Sequence, residues 1–134
     1  MPNDQSSALL QVINLTLSIK QNGQWVDLVK GISFDIDYNQ TVGIVGESGC
    51  GHSLTVQAIM RLLPLPDVII RRGNILFKGV DLVTLDSAEL NTFRGNKIAM
   101  IFQEPSTCLD PSEDVGHQLA ESIPSKTFTG RWWE

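Results

Sequence analysis

The stretch GIVGESGCGHSLTVQAIM, residues 43–60, decides how this chain is read. An apolar run enters a glycine-rich turn, and the turn opens into a segment with helical spacing. Strand, glycine turn and helix in that order are the context a phosphate-binding loop requires. Gly46 ends the apolar run, while Gly49 and Gly51 accept backbone angles that a side chain resists. Successive N–H groups of such a turn can converge on phosphate oxygens, helped by the positive end of the following helix. The pattern G-x-x-x-x-G-K-[ST] is met except at one position, where His52 replaces the expected lysine. Taken alone, the stretch is either a phosphate loop or an ordinary glycine-rich strand-to-helix turn.

Working outward, TVGIVG (41–46) is a short, nearly continuous apolar run of the kind that becomes a buried parallel strand. SLTVQAIMRLL (53–63) carries Leu54, Ala58, Ile59 and Leu62 at helical spacing and is stopped by the PLP of 64–66. Upstream, LLQVINLTLSI (9–19) alternates as a strand, QNG (21–23) signals a turn, and VDLVKGISFDI (26–36) returns, which predicts an antiparallel hairpin. Downstream, GNILFKGVDL (73–82) reads as strand and turn, and Asp86 or Ser87 caps a helix reaching Phe93. NKIAMIFQEP (96–105) reads as a strand running into a loop, and SEDVGHQLAESI (112–123) as an amphipathic helix. The remainder, PSKTFTGRWWE (124–134), has no periodicity and is expected to be irregular.

The 134 residues suffice for one modest domain with a core. A 42% hydrophobic and 19% charged composition is that of a globular chain. A formal charge of −5, without any basic run, argues against general nucleic-acid binding. The two cysteines, Cys50 and Cys108, are far apart and lack metal-ligand spacing, so a reducing compartment fits better than a disulfide framework. Neither a leader-like N-terminus nor an apolar run long enough for a membrane span is present, so no direct span is expected.

Taken together and in order, LLQVINLTLSI, VDLVKGISFDID, TVGIVGESGCGHSLTVQAIMRLLP, GNILFKGVDL and KIAMIFQEPSTCLDPSEDVGHQLAESI resemble the opening of an ABC-transporter nucleotide-binding domain. The resemblance is strongest to ATP-binding subunits of bacterial oligopeptide/dipeptide importers, in which GESG, IMxLLP and IAMIFQEP recur. It covers about residues 9–123, so 1–123 is expected to be the N-terminal part of such a domain and 124–134 a non-family tail. The implied fold class is α/β: a P-loop NTPase core with an incomplete parallel sheet and an N-terminal antiparallel β subdomain. ATP and Mg²⁺ are the implied cofactors. By the resemblance, Gly46, Glu47, Ser48, Gly49, Cys50, Gly51, His52, Ser53 and Leu54 hold the nucleotide, and Ser53 binds Mg²⁺. Gln103 of the FQEP stretch corresponds to the Q-loop glutamine, a catalytic position that reaches Mg²⁺ and the attacking water. The implied partners are transmembrane permease subunits and a second ATP-binding subunit, with the chain cytoplasmic and peripheral on the inner face of the cell membrane.

Several features depart from this family pattern. A lysine would place a cation against the β- and γ-phosphates, a contact of about 4 kcal/mol at ~4 Å and an effective dielectric near 20. Imidazole is shorter, flatter and mostly neutral at pH 7. With the amide cradle and Ser53 retained, weak nucleotide binding is expected, with a rate loss of at least about 10²-fold. The LSGGQ signature, the apolar strand ending in Asp-Glu and the switch histidine that the resemblance implies do not occur in these 134 residues. The LDP of 109–111 resembles a later motif but stands too early for it. The expectation is therefore a frameshifted or truncated, hydrolysis-incompetent chain that is an importer subunit by descent. The alternative is a non-catalytic fragment or a permease-docking regulatory module without turnover. Finally, Ile19 takes the position where the family stacks an aromatic on adenine; Trp25, across the turn, is either its substitute or hairpin packing.

Overall fold

A computed structural model of the chain describes residues 8–47, 49, 51–104 and 107–123. The chain divides into two compact units, one through Asn91 and one from Thr92 onward. The first holds strands β1 (Ala8–Gln21) and β2 (Gln24–Asp37), helix α1 (His52–Ile59), strands β3 (Val68–Phe77) and β4 (Val80–Asp81), and most of helix α2 (Ser87–Phe93). Its four strands form one sheet in the order β2-β1-β3-β4, with every neighbouring pair antiparallel.

The expected hairpin is present, and its turn follows from local chemistry. Asn22 and Gly23 both take positive φ, 49° and 78°, as a two-residue turn matched to strand twist demands. Lys78 and Gly79, at 48° and 81°, make the equivalent turn between β3 and β4, where Phe77 faces Val80. The strand expected from residue 73 begins earlier, at Val68. β1 runs through the middle of the sheet and contributes Leu10, Val12, Leu15 and Leu17 to the core, joined by Val29, Val68, Ile75 and Phe77. Its alternation breaks at Asn14 (φ 48°), which bulges outward and donates its N–H to Ser33 Oγ at 2.9 Å.

Helix α1 buries Thr55, Ala58 and Ile59, and it is shorter than the spacing predicted. Arg61 enters the left-handed region (φ 51°), Leu62 N–H bonds the carbonyl of Gln57 at 2.8 Å, and Arg61 N–H bonds that of Ala58 at 2.9 Å. This pair of bonds ends the helix one turn before the prolines. The Arg61 guanidinium donates to the Leu82 and Leu85 carbonyls, which holds a residue type that seldom adopts this conformation. For α2, Asp86 is the cap: its Oδ1 accepts from Glu89 N–H at 2.8 Å, and Glu89 Oε2 accepts from Asp86 N–H at 3.3 Å.

The expected parallel strands are not formed. Residues 41–46 have no strand pairing, and Val42, Ile44 and Val45 are exposed. In the second unit, 96–104 contains only an isolated parallel bridge between Arg94 and Ile98, and Ile101 and Phe102 are exposed. The described residues therefore contain an antiparallel sheet with helices, not the incomplete parallel sheet predicted. The reason is that a parallel strand obtains both its hydrogen bonds and its cover from distant segments, so composition alone cannot form it. Helix α3 (Val115–Glu121) sits inside the predicted 112–123, capped by Asp114 Oδ1 accepting from Gly116 N–H at 3.2 Å. None of its residues is buried. The predicted tail, 124–134, lies outside the described residues.

Candidate functional site: the glycine loop

The loop is assembled between an extended segment and the start of α1. Gly46 and Glu47 are exposed and non-repetitive, Gly49 turns at φ 82°, and Gly51 is the helix N-cap at φ 87°, ψ 12°. His52, Ser53 and Leu54 form the first helical turn, with the first two exposed and Leu54 half-buried. Ser48 and Cys50, also predicted to contact nucleotide, lie outside the described residues.

The first rung of the helix is Thr55 N–H to the Gly51 carbonyl, at 2.9 Å. The N–H groups of Ser53 and Leu54 therefore precede the helical ladder, where α-helices leave donors without intrahelical acceptors. Among the described residues no side-chain cap hydrogen bond is made at Gly51, and no acidic residue occupies the helix's first turn. The partial positive charge of the helix start is thus left for an anion to neutralise. With left-handed glycines at 49 and 51 and the Ser53 hydroxyl at the surface, the arrangement is chemically suited to phosphate oxygens and an oxygen-seeking cation.

Two residues that sequence reasoning did not single out hold the loop in place. Thr55 is buried and its Oγ1 donates to the same Gly51 carbonyl at 2.9 Å. The signal available was a threonine four residues after the last glycine, the spacing of a side-chain bond back to the preceding turn. Val29 on β2 is the second: a Cβ built at Gly51 would lie 2.6 Å from Val29 Cγ2. Only glycine lets the start of α1 approach the sheet this closely, and no local pattern announces the pairing.

The other predicted residues fall elsewhere. Gln103 is exposed in the second unit, between the parallel bridge and α3. Trp25 pairs directly across the hairpin with Lys20, whose Nζ stands 5.9 Å from the ring centroid, while the half-buried Ile19 pairs with Val26. One ring face is thereby engaged by a cation on the same hairpin, an arrangement that favours packing as the role of Trp25.

A mixed α/β unit whose antiparallel sheet is interrupted, between β2 and β3, by a glycine loop opening a helix fits a piece of an ABC ATPase domain. Residues 29–131 match the ABC transporter family, and the chain belongs to that family. It is 48% identical over 115 residues to the oligopeptide transport ATP-binding protein OppD of Bacillus subtilis (strain 168), a match covering 86% of this chain and 32% of that protein. It is 47% identical over 115 residues to the dipeptide transport ATP-binding protein DppD of the same organism, covering 86% and 34%. A third relative, the peptide transport system ATP-binding protein SapD of Salmonella typhimurium, is 40% identical over 126 residues, covering 94% and 38%. The chain spans about a third of the length of these curated relatives.

Proposed function

We propose that this chain provides the nucleotide-binding loop of an ATP-binding subunit of a bacterial oligopeptide or dipeptide import system. The observation that carries this reading is the uncapped start of α1, entered through the left-handed Gly51, within a chain 48% identical to OppD. Gly46, Glu47, Ser48, Gly49, Cys50, Gly51, His52, Ser53 and Leu54 would hold the phosphates of ATP, mainly through backbone N–H groups. The Ser53 hydroxyl would hold Mg²⁺, with Gln103 as a second contact to the metal and the attacking water. When bound, Mg²⁺ neutralises charge on the phosphates. The partners in this reading are permease subunits and a second ATP-binding subunit, on the inner face of the membrane. None of the described helices is long and apolar enough to cross a membrane.

His52 weakens the site, because a loop lysine would bring a full positive charge to the phosphates. In this reading the chain binds ATP weakly and, with neither the LSGGQ signature nor the acidic strand end within its 134 residues, does not turn it over on its own. Calorimetric titration of the chain and of H52K with ATP and Mg²⁺ tests this. H52K should bind at least about tenfold more tightly, a fraction of what one close charge pair can contribute. Failure of both proteins to bind at millimolar ATP would overturn the reading. ATP turnover by the chain alone would overturn its non-catalytic part.

A further inference from the structure

A cavity of about 600 Å³ lies against α3, and every described residue lining it falls within 113–123. Gly116, Leu119, Ala120 and Ile123 recur there at helical spacing and give it an apolar floor. Glu113 and Asp114 stand at one end. A helix is a convex rod, so these residues supply one wall, and the facing wall must come from another segment. None of the residues of α3 is buried, and Leu119 is 61% exposed. Residues 107–123 carry four carboxylates, Asp110, Glu113, Asp114 and Glu121, and no lysine or arginine. Their histidine, His117, stands 3.5 Å from Glu121 on the same helix.

We propose that this groove is a docking surface for the segment that follows it, PSKTFTGRWWE (124–134). Trp132 and Trp133 would lie on the apolar floor, with Lys126 and Arg131 against the carboxylates. The chemistry matches on both counts: large aromatic area meets an uncovered apolar stripe, and two cations meet a surface without any of its own. The chain is also long enough. Ser122 ends α3 and Pro124 cannot continue it, so the segment departs beside Ile123. The stretch 124–131 reaches up to roughly 26 Å when extended, whereas α3 is only about 10 Å long. A second copy of this chain is the poorer occupant, because it would set the carboxylates of α3 against their own duplicates. Covalent attachment, by contrast, gives 124–134 an effective concentration on the order of millimolar. The inference concerns the second unit alone and does not rest on nucleotide binding.

The test uses the full chain carrying W25F, which leaves Trp132 and Trp133 as its indoles. Their emission should be blue-shifted from that of tryptophan in water. L119D puts a charge on the floor of the groove at a residue that is not buried, and should raise acrylamide quenching at least about threefold. L119M should behave like its parent. R131E leaves α3 untouched and should raise quenching in the same direction as L119D. In the wild-type background, W132A/W133A should speed amide exchange at 116–121 at least about threefold. Water-like indoles in the parent, protected indoles indifferent to L119D or R131E, or unchanged exchange at 116–121 would each overturn the proposal. Protection that appears only as protein concentration rises would overturn it in favour of a second copy.

Discussion

Gly51 stands against Val29 so closely that an added Cβ would lie 2.6 Å from Val29 Cγ2. The contact joins the end of the glycine loop to the sheet, and the same residue is held in the left-handed region at φ 87°. Gly51→Ala therefore meets both a steric clash and an unfavourable backbone conformation. The expected cost is about 1–3 kcal/mol, read by urea denaturation. A variant as stable as the wild type would show that α1 is not seated on β2 in this way.

Gly73 is more tightly enclosed, because the atoms around it are backbone. At φ 103°, its added Cβ would lie 2.6 Å from the Ile13 carbonyl oxygen and 2.6 Å from Leu15 Cα. Those atoms belong to the bulged stretch of the central strand and cannot swing away. Gly73→Ala should cost about 3 kcal/mol or more, at the upper end of strain and overpacking effects. Gly79→Ala is the control: it has positive φ but nothing within 4 Å, so it should cost only about 1–2 kcal/mol. Equal losses in the two variants would contradict the enclosure of Gly73.

The Thr55 hydroxyl bonds the Gly51 carbonyl from a buried position, so its two conservative replacements should separate. Thr55→Val keeps the shape and removes the donor, with an expected cost of about 1 kcal/mol. Thr55→Ser keeps the donor and loses a buried methyl, about 0.8 kcal/mol of transfer energy. Only Thr55→Val should raise amide exchange at the start of α1. Matching exchange in both variants would remove Thr55 from the positioning of the loop.

In the second unit, the Ser112 hydroxyl and then its backbone N–H bond Asp110 Oδ1, at 2.6 and 2.9 Å, and hold the Asp110 carboxyl below its usual range. The local turn is thus stabilised above the ordinary carboxylate pKa and loses that support as pH falls through the depressed value. Ser112→Ala removes the first-named bond, so the Asp110 midpoint should move upward in an NMR pH titration. An unmoved midpoint would show that the hydroxyl is not the principal cause. Because Asp110 is exposed, the effect should be local and leave global stability unchanged.

Gly51, Gly49 and Ser53 were legible as candidates because a glycine turn before a helix is a local pattern. Thr55 carried only the faint local signal of its four-residue spacing from Gly51, and Val29 carried none, since its role depends on where β2 comes to lie against α1. The turns at Asn22-Gly23 and Lys78-Gly79, the Asp86 cap and the alternation of β1 were likewise determined by the sequence itself, because each depends on a few neighbouring residues. The seating of Gly51 on Val29, the enclosure of Gly73 and the early end of α1 at Arg61 were decided only by tertiary structure. The clearest contrast is between β1 and residues 41–46. Both are built of strand-forming residues, but β1 finds partners on both sides within the described residues, whereas 41–46 finds none. A strand is completed by its neighbours, and its own composition makes it only a candidate.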